Sequence, residues 1–107
     1  MEIRITTSYR NGKRFHDLDI PGEPTRKNLS DDELFTILSI MVRNALADDL
    51  RKFWEIVGEE VKEIYLDVDD EKNLQGFSYY DLTFGALKEF RTILDAIHEI
   101  NSGPKFF

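Results

Sequence analysis

The chain has no cysteine. A disulfide framework is therefore excluded, as are thiolate-held zinc and iron–sulfur centres. No stretch approaches the ~18 apolar residues that a membrane-crossing helix needs. The opening MEIRITTSY alternates polar and apolar residues and lacks the basic head and apolar block of a secretory signal. These absences set the expectation of a soluble, intracellular, cytoplasmic protein. Glycine is scarce, and none of the six belongs to a phosphate-cradling loop. Asn11-Gly12 and Gly22 read as turn glycines, and Gly76 and Gly85 as the bounds of a strand. Positive charge is also short, with 14 basic residues against 21 acidic ones and a net charge of −7. That sign disfavours direct binding to nucleic acid phosphates.

The 107 residues are 41 % hydrophobic and 12 % aromatic. That suffices for one folded domain with a modest core and argues against disorder. Residues 1–107 are read as a single α+β domain. Its expected order is ββα(α)ββα: two antiparallel β-hairpins, forming one four-stranded sheet, packed against a central long or kinked helix and a C-terminal helix.

Met1 to Gly22 reads as the first hairpin. Asn11-Gly12 lies between two alternating runs, and a type I′ turn needs positive φ at both central residues. A two-residue loop there sets the pairing. Ile3 meets Ile20 and Ile5 meets Leu18 on one face, followed by Thr7 with His16 and Tyr9 with Arg14. The other face pairs Arg4 with Asp19, Thr6 with Asp17 and Ser8 with Phe15. A slip of one residue would send each set to the wrong side. Pro21-Gly22-Glu23-Pro24 ends the second strand, and a polar connection is expected up to Leu29.

Ser30 to Val61 is the longest helical pattern. Ser30 and Glu33 fit a capping box, and Asp31 and Asp32 suit the positive end of the helix dipole. Leu34, Ile37, Leu38, Met41, Val42, Ala45 and Leu46 form an apolar stripe, continued by Leu50, Phe53, Trp54, Val57 and Val61. Phe35, Ile40 and Ile56 lie outside the stripe, which marks Phe35 and Ile40 as candidates for a second contact. One continuous helix and two helices, the second capped by Asp48, both fit. Beyond it, Val61 to Asp69 and Gly76 to Phe84 alternate as strands. In the second of these, Tyr80, Leu82 and Phe84 share one side. Phe77, Tyr79, Asp81 and Thr83 are assigned to the other, on the outer face. A helix starting at Ser78 competes with that strand. The last helix is expected from about Ala86 to Asn101, stopped by Ser102-Gly103-Pro104 and followed by the tail Lys105-Phe106-Phe107.

Few residues point to chemistry. Asp67-Val68-Asp69-Asp70-Glu71 resembles the opening of a calcium loop. However, Lys72 stands where the sharp turn needs glycine, and Ser78 where a bidentate glutamate belongs. No metal site and no cofactor are therefore expected. The neighbouring carboxylates Asp31/Asp32, Asp48/Asp49, Glu59/Glu60 and Asp69/Asp70 point away from each other on a regular element, so they read as caps and solvated faces rather than acid–base pairs. His16 falls on the core side of the first hairpin and His98 beside the apolar row of the last helix. Two histidines bordering a core are more often structural than catalytic. Arg10, Lys13 and Arg14 at the first hairpin tip, near Tyr9 and Phe15, form a minor basic cluster.

The strongest functional signal is charge placement. Residues 55–81 hold nine acidic and two basic side chains, a net −7 equal to that of the whole chain. A charge run is most simply a solubilising face. Embedded aromatics make it instead a surface for a partner. The expected face comprises Glu55, Glu59, Glu60, Glu63, Tyr65, Asp67, Asp69, Asp70, Glu71, Phe77, Tyr79 and Asp81, meeting on one side of the domain. The reading is a non-enzymatic protein-binding module that docks on a basic protein surface, as an inhibitor, an immunity-type protein or a mimic of nucleic acid charge. Two readings compete with it. One is a self-assembling protein, such as a homodimer through the central helix with its Phe106-Phe107 tail. The other is a small enzyme built around His16 or His98.

Overall fold

A computed structural model describes residues 1–43 and 46–102. Six strands are present: β1 (Glu2–Arg10), β2 (Lys13–Asp19), β3 (Arg26–Leu29), β4 (Val61–Val68), β5 (Leu74–Asp81) and β6 (Ala86–Phe90). Three helices accompany them: α1 (Asp31–Met41), α2 (Ala47–Val57) and α3 (Ile93–Asn101), with a 3-10 turn at Gly58–Glu60. The strands form one antiparallel sheet in the order β3-β2-β1-β4-β5-β6. The class is α+β as expected, with six strands where four were expected.

The first hairpin follows the sequence closely. Asn11 and Gly12 have φ of 53° and 76°, as a type I′ turn requires. Arg4 pairs with Asp19, Ile5 with Leu18, Thr7 with His16 and Tyr9 with Arg14. The capping box also forms. The Glu33 amide donates to Ser30 Oγ at 3.2 Å, and the Ser30 amide donates to Glu33 Oε1 at 3.2 Å.

The Ser30–Val61 stretch is two helices. Val42 is extended and buried, which ends α1. Ala45 of the apolar stripe lies outside the described residues. Helix α2 starts after Leu46, which makes no side-chain cap. Asp48 therefore sits in the first turn, not at the N-cap, where it still suits the dipole. Phe35 is not free for a second contact, because it is buried and stacks on Trp54 with ring centroids 6.2 Å apart. Ile40 is 68 % exposed.

The two strands missing from the sequence reading are the sheet's edges. Strand β3 is only four residues long and includes Asn28 at φ 58°. Asparagine tolerates that left-handed backbone. Its amide donates to Asp17 Oδ1 at 3.0 Å, and Arg10 donates to its side-chain oxygen at 2.9 Å. Strand β6 replaces the expected opening of the last helix. The Asp81 carboxylate accepts from the amides of Thr83 (2.8 Å) and Phe84 (3.4 Å), and Gly85 adopts φ +60°. The chain thus reverses, and Ala86 to Phe90 pairs back along β5. Helix α3 begins only at Ile93, where Thr92 Oγ1 accepts from the Asp95 amide at 3.1 Å. The competing helix start at Ser78 is also excluded, since Ser78 is mid-strand in β5. The tail Lys105-Phe106-Phe107 and the stop residues Gly103 and Pro104 lie outside the described residues.

All three helices cover one face of the sheet. Ile3, Ile5, Leu18, Ile64, Leu66 and Phe77 meet Leu34 and Leu38 of α1, Leu50, Phe53 and Trp54 of α2, and Ile93 and Ile97 of α3 in one core. Phe53 packs edge-on to Phe77 with centroids 5.1 Å apart, and Tyr79 lies beside both. The other face, with Arg4, Thr6, Glu63, Tyr65, Asp67, Tyr80 and Leu87, has no helix of the described residues over it. No helix among the described residues is long and apolar enough to cross a membrane.

Candidate functional site

The expected acidic face divides on folding. Its twelve residues follow β4 from one end to the other, roughly 26 Å at about 3.3 Å per residue. Glu55, Glu59, Glu60 and Asp81 lie at the start of β4, where Val61 pairs with Asp81 and the Leu82 amide donates to the Glu60 carbonyl at 3.0 Å. Asp67, Asp69, Asp70 and Glu71 lie at its far end. Glu63 and Tyr65 stand between them on the outer face. There the Tyr65 hydroxyl donates to Glu63 Oε2 at 2.7 Å, and Arg4 approaches Glu63 Oε1 at 3.3 Å. The hydrogen bond to the Glu63 carboxylate, with some burial, raises the Tyr65 phenol pKa.

Three of the twelve are not surface residues. Phe77 is 0 %, Tyr79 2 % and Asp81 8 % exposed, so neither aromatic supplies the outer face, and Asp81 shares the inward side of its buried partner Val61. The reason is register. Phe77 pairs with Leu66 and Tyr79 with Ile64, both inward-facing, so the aromatics share their side of the sheet. Tyr80, assigned to the inner side, faces out opposite Glu63. Asp69 is committed to its turn. Oδ1 accepts from the amides of Glu71 (2.9 Å) and Asn73 (2.8 Å), and Oδ2 accepts from Gln75 (2.9 Å). The backbone donors hold its carboxyl below the usual range.

Two like-charge pairs face each other across the outer strands, Glu2 with Asp67 and Arg10 with Lys13, and like charges opposite one another are destabilising. The N-terminal ammonium, 3.9 Å from Asp67 Oδ1, partly offsets the first.

The polar cluster around His16 lies on the inner side. His16 Nε2 is 2.6 Å from Asp31 Oδ1, and His16 Nδ1 is 2.9 Å from the Thr7 hydroxyl. Arg14 donates to Asp31 Oδ2 at 2.7 Å, and Trp54 packs on the imidazole with centroids 4.5 Å apart. A hydroxyl, an imidazole and a carboxylate in line resemble a nucleophilic triad by connectivity alone. Access is absent, since His16 is 0 % and Thr7 1 % exposed. Burial lowers the His16 pKa against the pull of Asp31. A neutral ring then donates from Nε2 to Asp31 and accepts from Thr7 at Nδ1, which satisfies the ring, the hydroxyl and the carboxylate; the buried Trp54 Nε1 has no partner among the described residues. Burial alone would raise the Asp31 carboxyl, but hydrogen bonds from Arg14 and His16 outweigh it and hold the carboxyl low. The basic tip cluster is thinned as well, because Arg14 turns inward to Asp31 while Arg10 lies over the Phe15 ring at 4.2 Å. His98 stands exposed on α3.

A cavity of about 440 Å³ opens where the C-terminal ends of α2 and α3 meet the β5–β6 turn. Ile56, Val57, Phe84 and Ile100 form apolar walls. Asp81, Glu60, Glu99, Lys88 and Tyr79 supply the polar groups. Lys88 lies 3.3 Å from Asp81 Oδ2 and 4.7 Å from the Phe84 ring centre. Burial, followed by the charges of Asp81 and Glu99, pushes the Tyr79 phenol up to about 12. The sequence reading missed Lys88 and Glu99. They come from β6 and α3, and no local spacing relates them to Glu60 and Asp81.

Comparison with known protein families, with characterised proteins and with solved structures finds no match.

Proposed function

We propose that the chain is a non-enzymatic protein-binding module that docks its acidic, helix-free sheet face on a basic surface of a partner protein, as an inhibitor or immunity-type protein does. The carboxylates of Glu2, Glu63 and Asp67, grouped by the β1–β4 pairing on the open face, carry this reading. Glu2 and Asp67 are cross-strand partners there, and the N-terminal ammonium, 3.9 Å from Asp67, offsets only part of that negative charge. A cationic partner complements these carboxylates, and their field accelerates encounter. Tyr65 and Tyr80, flanked by Glu63, add amphipathic contact area of the kind that anchors interfaces.

The test starts by capturing partners from host lysate at low and moderate salt. The captured protein is then purified and its association rate measured against ionic strength. Glu63→Lys with Asp67→Lys is expected to slow association by about tenfold and flatten its salt dependence. An unchanged rate would reduce the face to a solubility device. Asp69 is left intact because its oxygens hold the β4–β5 turn.

Self-association is the second reading, now through a different surface. Leu82, Phe84 and Leu87 are all exposed on the β5–β6 hairpin, beside β6, whose outer edge pairs with no strand among the described residues. Light scattering tests it, and a strict monomer at high concentration removes it.

A further inference from the structure

The open face of the sheet is charged at both ends of β1. Glu2 and Asp67 stand at one end and Arg10 and Lys13 at the other, roughly 26 Å apart at about 3.3 Å per residue. Alternation along the strand puts Arg10 on the same side as Arg4 and Thr6, and pairing puts Lys13 beside it. The two ends differ in one respect. The N-terminal ammonium partly offsets the acidic end, whereas neither Arg10 nor Lys13 forms an ion pair among the described residues.

Arg10 is a positioned cation. Its guanidinium lies over the Phe15 ring at 4.2 Å and donates to Asn28 Oδ1 at 2.9 Å. Asn28 is held in turn, because its amide donates to Asp17 Oδ1 at 3.0 Å. The remaining donors of Arg10 and the ammonium of Lys13 have no partner among the described residues. A shallow hollow of about 340 Å³, lined by Arg10, Asn11, Lys13 and Phe15, opens beside them. The occupant follows from these groups. A cation is repelled by both side chains. An apolar group would strip water from two charges and return nothing. A carboxylate accepts from the guanidinium fork and from the ammonium together. A phosphoryl group carries nearly twice the charge, and the chain's net −7 repels it correspondingly more.

We propose that the β1–β2 tip receives a carboxylate side chain of the partner protein, held between Arg10 and Lys13. The proposal rests on the docking reading above and adds that the partner's surface is bipolar. Its basic centre lies over Glu2, Glu63 and Asp67, and an aspartate or glutamate lies over the tip at the other end of β1. Two opposite contacts on one face fix which way round the partner sits, which a single acidic patch does not.

The first test reads the sign of a rate change. Arg10→Glu with Lys13→Glu turns two positive charges into two negative ones, so a uniformly basic partner would associate faster. With a carboxylate over the tip, association of the captured protein should instead slow by about tenfold. A faster or an unchanged rate overturns the proposal. The second test needs no partner. N-acetyl-glutamate methylamide is titrated into the full chain at low ionic strength and followed by NMR. Saturable shifts are expected at Arg10, Lys13 and Phe15, with a dissociation constant about tenfold higher in Arg10→Gln with Lys13→Gln. Both side chains are exposed and the Asn11-Gly12 turn is untouched, so these variants retain the fold. Equal binding of the neutral N-acetyl-glutamine methylamide would overturn the proposal, as would the absence of saturable shifts. Binding of inorganic phosphate without binding of the glutamate amide would also overturn it, by making the tip a phosphoryl site. Failure of the docking reading shows separately, in the association rate of the Glu63→Lys, Asp67→Lys chain, because neither residue lines the tip hollow.

Discussion

The His16 cluster and the cavity beside Phe84 are built from similar parts and do opposite things. Each combines a carboxylate, a base or phenol, a cation and an aromatic wall. Around His16 the hydroxyl, imidazole, carboxylate and guanidinium find partners inside the protein, while the buried Trp54 Nε1 has none among the described residues, and solvent does not reach the imidazole. Beside Phe84 the carboxylates outnumber the cation, and a wall stands open to solvent. Saturation and closure make the first cluster a structural joint between β1, β2 and α1. Deficit and opening leave the second a solvent-facing acidic pocket.

The sharpest way to break the contrast is to unsaturate the closed cluster. Asp31→Ala strands Arg14 and His16 and should lower the unfolding free energy by about 3 kcal/mol, read by urea denaturation. Next in size is Gly58→Ala, which touches both regions. Gly58 lies at φ 56°, ψ −137°, its carbonyl accepts from Tyr9 at 2.7 Å, and it follows Val57 of the cavity wall. No atom crowds a Cβ there, so the cost is backbone strain alone, about 2 kcal/mol.

Stability against pH should carry one edge from each cluster. His16 has a depressed folded pKa, so the unfolded chain takes up its proton first. Stability therefore falls as pH drops below 6.5, and His16→Gln removes that edge. Tyr79 has a raised pKa, so the unfolded chain loses its proton first. Stability falls as pH rises from 10.0 towards about 12, and Tyr79→Phe shrinks that edge, to which the raised Tyr9 and Tyr65 phenols also contribute. Thermal melts across pH read both, and a flat profile on either side would remove the corresponding assignment. The smallest effects belong to the open surfaces. Phe84→Ala should change stability by no more than about 0.5 kcal/mol. Asp67→Asn should change stability by no more than about 0.3 kcal/mol, since it relieves Glu2 but gives up the N-terminal ammonium 3.9 Å away.

Legibility in the sequence tracked the range of the interactions involved. The hairpin turn at Asn11-Gly12 and the Ser30 capping box involve neighbours within a few residues, and both formed as read. His16 on the core face followed from that turn alone. The side of Phe77 and Tyr79 depended on the β4–β5 register, and the polar turn between those strands carries no two-residue loop to set it. Strand β6 was misread because Leu87 and Phe90 fit a helical row as well as a short strand. Pairing with β5 decided between them.

By itself the sequence determined the α+β class, the first hairpin with its register, the start of α1 and the concentration of negative charge in residues 55–81. These rest on turn dihedrals, caps, periodicity and composition, which act locally or simply add. Only the tertiary structure decided that this charge is spread along β4 and that Asp31 saturates His16. The same holds for the cavity, where Glu60, Asp81, Lys88 and Glu99 meet. Those residues are held by four separate elements, and only strand pairing and helix packing bring them within reach of one another.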